Sequence, residues 1–162
     1  MTISIGDQLP AAALMKVVDG APVSVALSDV LKGRRVVIFA LPGAFTSTCT
    51  AAHVPSFMRT ADQFRAKGVD EIICLSVNDP FVMNAWGEST GGLDAGITFM
   101  ADADGSYTKS IGLAFDAAPA GLFGRSRRYS MFVEDGVVRQ YRPEEAAGGC
   151  EISSGEALLE LI

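Results

Sequence analysis

Continuous apolar runs mark the centre of the chain. Residues 36–41 read Val-Val-Ile-Phe-Ala-Leu, and residues 72–77 read Ile-Ile-Cys-Leu-Ser-Val. Short apolar runs of this kind are typical of strands that are buried on both faces, in a sheet covered by helices. Residues 97–101 (Ile-Thr-Phe-Met-Ala) predict a further short strand. The pattern therefore predicts a central sheet with packed helices around it.

A helical pattern follows each of the first two strands. Between residues 47 and 67 the apolar side chains recur on one face of a helix, and Gly68 is a natural stop. Pro55 lies inside this helix, so we expect one missing backbone hydrogen bond and a kink. Asn78-Asp79-Pro80 predicts the cap of a second helix, which runs to about Ser89.

Hairpins and short helices complete the predicted elements. Strand-like runs pair around turn residues, namely 15–18 with 23–27 around residues 19–22, and 129–134 with 137–141 around Asp135-Gly136. Asp-Gly between two such runs is a strong hairpin signal. Residues 107–111 predict a weak helix. Ser153 and Glu156 form a capping-box pattern, which predicts a terminal helix over residues 157–162.

The order of these elements predicts an α/β fold with a mixed central sheet flanked by helices and an N-terminal β-hairpin extension. At 162 residues and 17.0 kDa, the chain suits one globular domain over residues 1–162. No apolar run approaches membrane-spanning length, and the N-terminus lacks the pattern of a secretion signal. We therefore expect a soluble cytoplasmic protein without a membrane partner.

Charge and cysteine usage exclude several classes of function. The net charge is -6, and the basic cluster Arg125-Ser126-Arg127-Arg128 is too short to indicate nucleic-acid binding, so we expect a solvated loop with its arginines facing water. Cys49, Cys74 and Cys150 are widely separated and odd in number, which makes a poor disulfide scaffold. The cysteines also lack the close pairs of a zinc site and His53 is the only histidine, so we do not expect a metal centre. We expect no cofactor.

The segment from Pro42 to Cys49 carries the candidate chemistry. It lies between a buried strand and the start of a long helix, where ligand sites of α/β sheets concentrate. If Thr46 or Ser47 caps the helix, Cys49 falls in its first turn, where free N–H groups and the helix dipole stabilise a thiolate. A free thiol titrates near ~8.5, and such surroundings lower that to roughly 3.5–7.5. On spacing alone, a small buried hydrophobe remains the alternative for this cysteine.

A thiolate that attacks a peroxide also needs donors on the departing oxygen. Thr46, three residues before Cys49, is expected to place its hydroxyl next to sulfur and peroxide, and Pro42 to shield the sulfur from water. Arg128, just ahead of the predicted strand 129–134, is the best candidate for a cation. His53 lies one turn after Cys49. We expect it to have a structural role next to the catalytic residues rather than to act as the general base.

Residues 42–49 resemble the active-site loop of peroxiredoxins, whose pattern is Pro-x-x-x-Thr/Ser-x-x-Cys. The string Leu-Pro-Gly-Ala-Phe-Thr at 41–46 is similar to the type II, or fifth-class, branch, as are residues 68–81 and 124–129. The resemblance covers nearly the whole chain in order. One departure is Ser47, where many members carry proline, and its absence leaves the first helical turn less pre-organised.

The resemblance implies a thioredoxin-like fold and a thiol-dependent peroxidase that reduces hydrogen peroxide and organic hydroperoxides. It implies that Cys49 becomes a sulfenic acid, that Arg128 binds the thiolate, and that Pro42 and Thr46 complete the site. It also implies a homodimer formed around the active-site loops. The positions that match its apolar substrate mouth are Leu122 and Phe123, and we also expect Gly43 and Phe45 to line the substrate pocket.

Three routes are open for reduction of the sulfenic acid, which otherwise oxidises irreversibly. Cys150, in a glycine-preceded loop, would form an intramolecular disulfide with Cys49. Cys74 matches a position that plant type II members use, although its place in mid-strand favours a buried structural thiol. Direct attack by glutathione, with a glutaredoxin completing the cycle, is the route we favour over thioredoxin.

Two other functions use the same residues. A thioredoxin-type disulfide oxidoreductase would share the fold, but its Cys-x-x-Cys motif is missing because Thr46 stands at the first position. A redox sensor would signal through oxidised Cys49 without rapid turnover. Peroxide consumption in the presence of a reductant distinguishes a catalyst from such a sensor.

Overall fold

The computed structural model describes residues 2–146 and 148–162. The strands are β1 (Ala13–Val18), β2 (Ala21–Ala26), β3 (Arg35–Ala40), β4 (Glu71–Ser76), β5 (Thr98–Ala101), β6 (Ala114–Ala117), β7 (Leu122–Ser126), β8 (Tyr129–Glu134) and β9 (Val137–Pro143). The α-helices are α1 (Leu27–Leu31), α2 (Val54–Ala66), α3 (Pro80–Thr90), α4 (Ser106–Ser110) and α5 (Gly155–Leu159). A π-helical turn spans Cys49–His53, and a 3₁₀ turn spans Ala118–Ala120.

Seven strands form one mixed sheet in the order β2-β1-β5-β4-β3-β8-β9. The strands β5, β4 and β3 run parallel to one another, and the remaining pairs are antiparallel. In β3 and β4 every residue after the first is buried, as their unbroken apolar runs predict. The thioredoxin-like α/β class predicted from the sequence is confirmed.

The apolar core forms two layers, one on each face of the sheet. Ile38 and Ile73 belong to one layer, and their strand neighbours Phe39 and Cys74 belong to the other. Helix α2 covers the second layer, where Phe57 stacks on Phe39 with ring centroids 4.1 Å apart. Full burial of one such ring contributes roughly 1.5–3 kcal/mol. The layer under α2 also contains the candidate nucleophile, so its packing fixes the floor of the site.

Both predicted hairpins are present and turn on Asp-Gly. Asp19 and Gly20 have φ angles of 51° and 79°, and Asp135 and Gly136 have φ angles of 48° and 80°. Two successive left-handed residues match the twist of the flanking strands, and Asp and Gly tolerate that conformation best. The first turn is shorter than the four residues expected, since β2 begins at Ala21. This hairpin extends the sheet through the pairing of β1 with β5.

The long helix predicted after β3 is interrupted by a π-helical turn at the candidate nucleophile, Cys49. The chain is helical from Ser47, but the Val54 N–H bonds to the Cys49 carbonyl, one residue beyond the α-helical partner. Regular α-helix then begins at Val54, with Pro55 in its first turn, where a missing N–H is tolerated. The irregularity expected from Pro55 therefore takes the form of a π turn that starts at Cys49.

Two predictions about local structure are wrong. Residues 122–126 form a strand that pairs with β6, and Ser126 and Arg128 are buried, whereas Arg127 is exposed as expected. Ser154, and not Ser153, caps the last helix by accepting a hydrogen bond from Ala157 N–H at 3.2 Å. Arg128 binds His53 and Cys49, which are distant in sequence, and Ser153 binds Glu144 nine positions earlier. Local sequence patterns do not reveal such partners.

Candidate active site

The loop after β3 is held in one conformation by its own hydrogen bonds. The Thr46 hydroxyl donates to the Gly43 carbonyl at 2.7 Å, and the Ala44 N–H donates to Oδ1 of Asn78 at 3.0 Å. Phe45 sits between them with a positive φ of 64°, which is strained for a bulky residue. Asn78 follows β4, so the end of the neighbouring parallel strand anchors the loop.

This loop delivers Cys49 into the first turn of the helix. The Thr50 N–H donates to the Thr46 carbonyl at 3.0 Å, which is the first hydrogen bond of the helical segment. Thr46 therefore occupies the cap position through its backbone, whereas its hydroxyl is used by Gly43 and does not cap the helix. The Cys49 side chain is 1% exposed and packs in the core layer beneath α2. The sulfur is thus shielded from bulk water.

Arg128 contacts this sulfur from the short connection between β7 and β8. The antiparallel register of β3 and β8 pairs Ala40 with Tyr129, so residue 128 lies beside the start of the active-site loop. The Arg128 Nη2 donates to Cys49 Sγ at 3.3 Å, and the side chain is buried. This contact places a positive charge directly against the sulfur. The sequence assigned Arg128 to this place, and the structure brings it there.

His53 occupies the space behind Arg128. Its Nδ1 lies 3.0 Å from Arg128 Nη1, and its Nε2 lies 3.0 Å from the Ser153 carbonyl oxygen. A guanidinium can only donate, so Nδ1 accepts and Nε2 carries the proton. Burial, aided by the Arg128 charge, lowers the pKa of His53 to about 3. The imidazole is therefore neutral at physiological pH and has no free lone pair with which to act as a base.

A cavity of about 260 Å³ opens beside the Arg128 guanidinium. Its polar lining residues include Thr46 and Arg128, and its apolar ones include Pro42, Phe115 and Leu122. Phe115 and Leu122 belong to the β6–β7 hairpin, which the sequence pattern did not predict. Cys49 itself does not line the cavity, but Arg128, which contacts its sulfur, does. The cavity therefore combines a charged side chain bound to the sulfur with apolar residues of that hairpin.

The four residues expected to line the substrate pocket have different positions. Leu122 lines the cavity, but the side chains of Phe45 and Phe123 are 59% and 64% exposed and do not line it. Gly43 contacts Arg125, since a Cβ atom there would lie 2.5 Å from Arg125 Nη1. That same nitrogen donates to the Pro42 carbonyl at 3.1 Å. Phe115 was missed, because nothing in the sequence near it marks a site.

The other two cysteines differ in accessibility. Cys74 is completely buried in β4 opposite Phe39, and burial raises the pKa of its thiol well above the usual value. Cys150 is half-buried in the segment before α5, and burial also raises its pKa. All three cysteines are free thiols. The structure therefore pairs Arg128 with Cys49 and keeps Cys74 inside the sheet.

Residues 2–146 and 148–162 lack the features of two other classes of site. No helix in this part of the chain is long and apolar enough to cross a membrane. Over the same residues, no group of three or more His, Cys, Asp or Glu side chains is arranged to hold a metal ion.

Comparisons with known proteins place these features in a family. The family model described as Redoxin matches residues 4–159. The mitochondrial Peroxiredoxin-2F of Arabidopsis thaliana is 49% identical over 136 residues, which cover 84% of this chain and 67% of that protein. The chloroplastic Peroxiredoxin-2E-2 of Oryza sativa subsp. japonica is 43% identical over 165 residues, which cover 99% of this chain and 73% of that protein.

A similar solved structure contains bound hydrogen peroxide. The crystal structure of reduced Prx3 from Vibrio vulnificus in complex with H₂O₂ superimposes with a TM-score of 0.91 and is 42% identical in sequence. The match covers 99% of this chain and 99% of that one. Fold and sequence therefore agree along the whole chain, including the loop that carries Cys49.

Proposed function

The chain belongs to the type II peroxiredoxins and is a thiol-dependent peroxidase, and from this premise we propose that Cys49 is the sulfur that the peroxide oxidises. The observation that carries the proposal is the 3.3 Å contact between Arg128 Nη2 and Cys49 Sγ. A buried cation in contact with one sulfur stabilises that sulfur as a thiolate, which is the nucleophilic form. Neither Cys74 nor Cys150 has such a contact in the part of the chain that the structure describes.

The proposed reaction is a two-electron displacement at oxygen. The Cys49 thiolate attacks the terminal oxygen of R–O–OH, so that an S–O bond forms and the O–O bond breaks. The sulfur becomes a sulfenic acid, Cys49–SOH, and the departing RO⁻ takes up a proton to give the alcohol, or water when the substrate is H₂O₂. Arg128 lies where it can donate to the oxygen that gains negative charge, which is the largest contribution expected from such a site.

Thr46 and Pro42 have separate roles in this scheme. Because the Thr46 hydroxyl donates to the Gly43 carbonyl, its oxygen lone pairs are directed as acceptors toward the cavity, where they can receive the hydroxyl proton of the peroxide. That contact would hold the terminal oxygen in line with the sulfur. Pro42 adds an apolar wall without an N–H group of its own. Together they orient the peroxide while Arg128 stabilises the charge.

The cavity supports organic hydroperoxides as substrates in addition to H₂O₂. A volume of about 260 Å³ is far more than H₂O₂ needs, since a water molecule occupies about 30 Å³ of liquid. Phe115 and Leu122 give the cavity an apolar surface suited to an alkyl or aryl group. We therefore propose that the hydroperoxide group binds next to Arg128 and its organic part against the β6–β7 hairpin.

We propose glutathione with a glutaredoxin as the reductant, in preference to thioredoxin. Glutathione attacks Cys49–SOH to form a mixed disulfide and water, and the glutaredoxin thiol then returns Cys49 to the reduced state. Burial of Cys74 argues against resolution inside the sheet, and the raised pKa of Cys150 makes it a weak nucleophile at neutral pH. Cys150 remains the preferred internal partner, since it is the more accessible of the two.

A homodimer and a cytoplasmic location complete the proposal. Phe45, Phe81 and Phe123 are each more than half exposed, and apolar surface of this kind is typical of protein interfaces. Three free thiols in one chain suit a reducing compartment. Gel filtration at several concentrations tests the dimer, and a monomer at all of them would contradict it. Cell fractionation tests the location.

The peroxidase proposal is tested by comparing Cys49→Ser with Cys74→Ser. Consumption of H₂O₂ is measured with a glutathione–glutaredoxin system and, side by side, with a thioredoxin system. Cys49→Ser should lose activity with both systems, whereas Cys74→Ser should retain it. Faster turnover with glutaredoxin supports the proposed reductant, and faster turnover with thioredoxin contradicts it. Activity that survives in Cys49→Ser contradicts the assignment of the nucleophile.

A further inference from the structure

One carboxylate outside the cavity binds the segment that supports His53. Glu144 follows β9 directly, and its Oε2 accepts three hydrogen bonds. The donors are Ser153 Oγ at 2.6 Å, Ser153 N–H at 3.0 Å and Glu151 N–H at 3.1 Å. Partial burial raises the pKa of the Glu144 carboxyl, but these hydrogen bonds outweigh burial and hold the pKa below its usual value. The side chain is therefore an anion at neutral pH.

The contacts of Glu144 continue to the candidate nucleophile without a break. The carbonyl of Ser153 accepts from His53 Nε2, His53 Nδ1 accepts from Arg128 Nη1, and Arg128 Nη2 donates to Cys49 Sγ. The Glu144 N–H also donates to the Arg128 carbonyl at 2.9 Å. Glu144 is thus connected to Arg128 by two routes. One runs through the Glu144 backbone N–H, and the other runs from its carboxylate through Ser153 and the imidazole.

We propose that Glu144 is a positioning residue for the peroxidase reaction, because it holds Ser153 so that His53 keeps Arg128 directed at Cys49. The inference rests on the proposed roles of Cys49 and Arg128. The Glu144 side chain contacts neither the Cys49 sulfur nor the cavity lined by Arg128. Any effect of its carboxylate on the oxidation of Cys49 therefore passes through Ser153 and the imidazole.

The local structure explains why this carboxylate is needed. Ser153 lies between β9 and α5, in neither a strand nor a helix, so no ladder of backbone bonds fixes its carbonyl. The His53 ring depends on that carbonyl, since an acceptor at Nε2 determines which nitrogen carries the proton. Arg142 Nε also holds this segment through the Ile152 carbonyl at 3.2 Å, so the segment stays attached when Glu144 is replaced.

The test compares Glu144→Ala with Glu145→Ala, because the two neighbours carry the same charge and Glu145 is exposed. The rate constant for oxidation of the reduced protein by H₂O₂ is measured by rapid mixing. We expect Glu144→Ala to lower it roughly tenfold, in line with the loss of hydrogen bonds to a charged group, and Glu145→Ala to leave it unchanged. In a His53→Gln background, Glu144→Ala should cause no further loss.

A spectroscopic measurement distinguishes positioning from a general loss of stability. His53 is the only histidine, so the ¹⁵N signals of its ring are assigned without ambiguity. At pH 7 the wild type and Glu145→Ala should show the Nε2–H form alone. Glu144→Ala should show a second, Nδ1–H population or exchange between the two forms.

The outcomes separate this inference from the proposed function. An unchanged rate and an unchanged tautomer in Glu144→Ala overturn the role of Glu144, even if Cys49 proves to be the nucleophile. Should Glu144→Ala fail to fold, Glu144→Gln and Ser153→Ala carry the same comparison, and wild-type behaviour in both overturns it. A wild-type protein that does not oxidise at Cys49 contradicts the proposed function, and the tautomer then still reports whether Glu144 positions His53.

Discussion

The Nη2 atom of Arg128 lies 3.3 Å from the Sγ atom of Cys49, although 79 positions separate the two residues in sequence. The pairing of Ala40 with Tyr129 accounts for this proximity, because it brings the end of β3 and the start of β8 side by side. The cation is thus positioned by the sheet, and the cysteine by the helix that follows β3. The other terminal nitrogen of Arg128, Nη1, is held by His53, which limits rotation of the guanidinium.

Replacing Arg128 with lysine should slow the reaction while keeping the charge. A single ammonium group cannot reproduce the planar fork that contacts Cys49 and His53 together. We expect Arg128→Lys to lower the rate constant with H₂O₂ by roughly 100-fold. Arg139→Lys, on the exposed face of β9, is the matched control and should behave as the wild type. Equal rates for both variants would contradict the role given to the guanidinium.

The pH dependence of stability should contain a contribution from His53. Its pKa is about 3 in the folded chain and near its usual 6.5 when unfolded, so between these values only the unfolded chain binds the proton. The free energy of unfolding should therefore fall as pH is lowered from 6.5, by up to about 1.4 kcal/mol per pH unit. His53→Gln should lack this contribution. Urea titrations between pH 7 and 4.5 measure it, and identical slopes for both proteins would show that the imidazole is not buried in its neutral form.

Cys74 should affect stability and not turnover. Its thiol is completely buried, and burial raises its pKa, so it is protonated and out of reach of the sulfenic acid. We expect Cys74→Ala to cost about 1–2 kcal/mol of unfolding free energy through the cavity it leaves, with unchanged glutathione-dependent turnover. Mass spectrometry after one equivalent of peroxide should detect no Cys49–Cys74 disulfide. Its detection would mean that β4 opens during the cycle.

The apolar surface of the cavity should select among hydroperoxides. Leu122→Ser replaces part of that surface with a polar group, at a cost of about 1–2 kcal/mol for a bound organic group. The KM for cumene hydroperoxide should rise roughly tenfold, while the rate constant with H₂O₂ stays the same. Leu161→Ser, at an exposed position near the C-terminus, serves as the control. If both substrates lose activity equally, Leu122 supports the loop and does not bind substrate.

Much of the fold follows from patterns that are local in sequence. The buried strands 36–41 and 72–77 are confirmed within one residue at each end, and Asp135-Gly136 forms the predicted turn. Asp79 caps α3 by accepting from Val82 N–H, as the Asp-Pro start predicts. Each of these features depends on residues that are neighbours in the chain. The periodicity of apolar residues and the residue types at turns and caps therefore reveal them.

The features that sequence patterns missed depend on distant contacts. The β6–β7 hairpin pairs Ala114 with Ser126, yet its residues are rich in glycine and alanine and have no clear alternation. The pairing of β3 with β8 places Arg128 inside the protein, whereas an arginine cluster is usually solvated. Similarly, the local motif predicts only a capping role for Ser153. It does not reveal the hydrogen bond to Glu144, because that carboxylate lies outside the motif.

Trapping of the oxidised sulfur tests the central claim most directly. The reduced protein is mixed with one equivalent of H₂O₂ in the presence of dimedone, which forms an adduct with sulfenic acids, and the modified peptide is identified by mass spectrometry. The account predicts that the adduct forms on Cys49 and that Cys74 and Cys150 remain unmodified. An adduct on Cys150 or Cys74, with Cys49 still reduced, would contradict it.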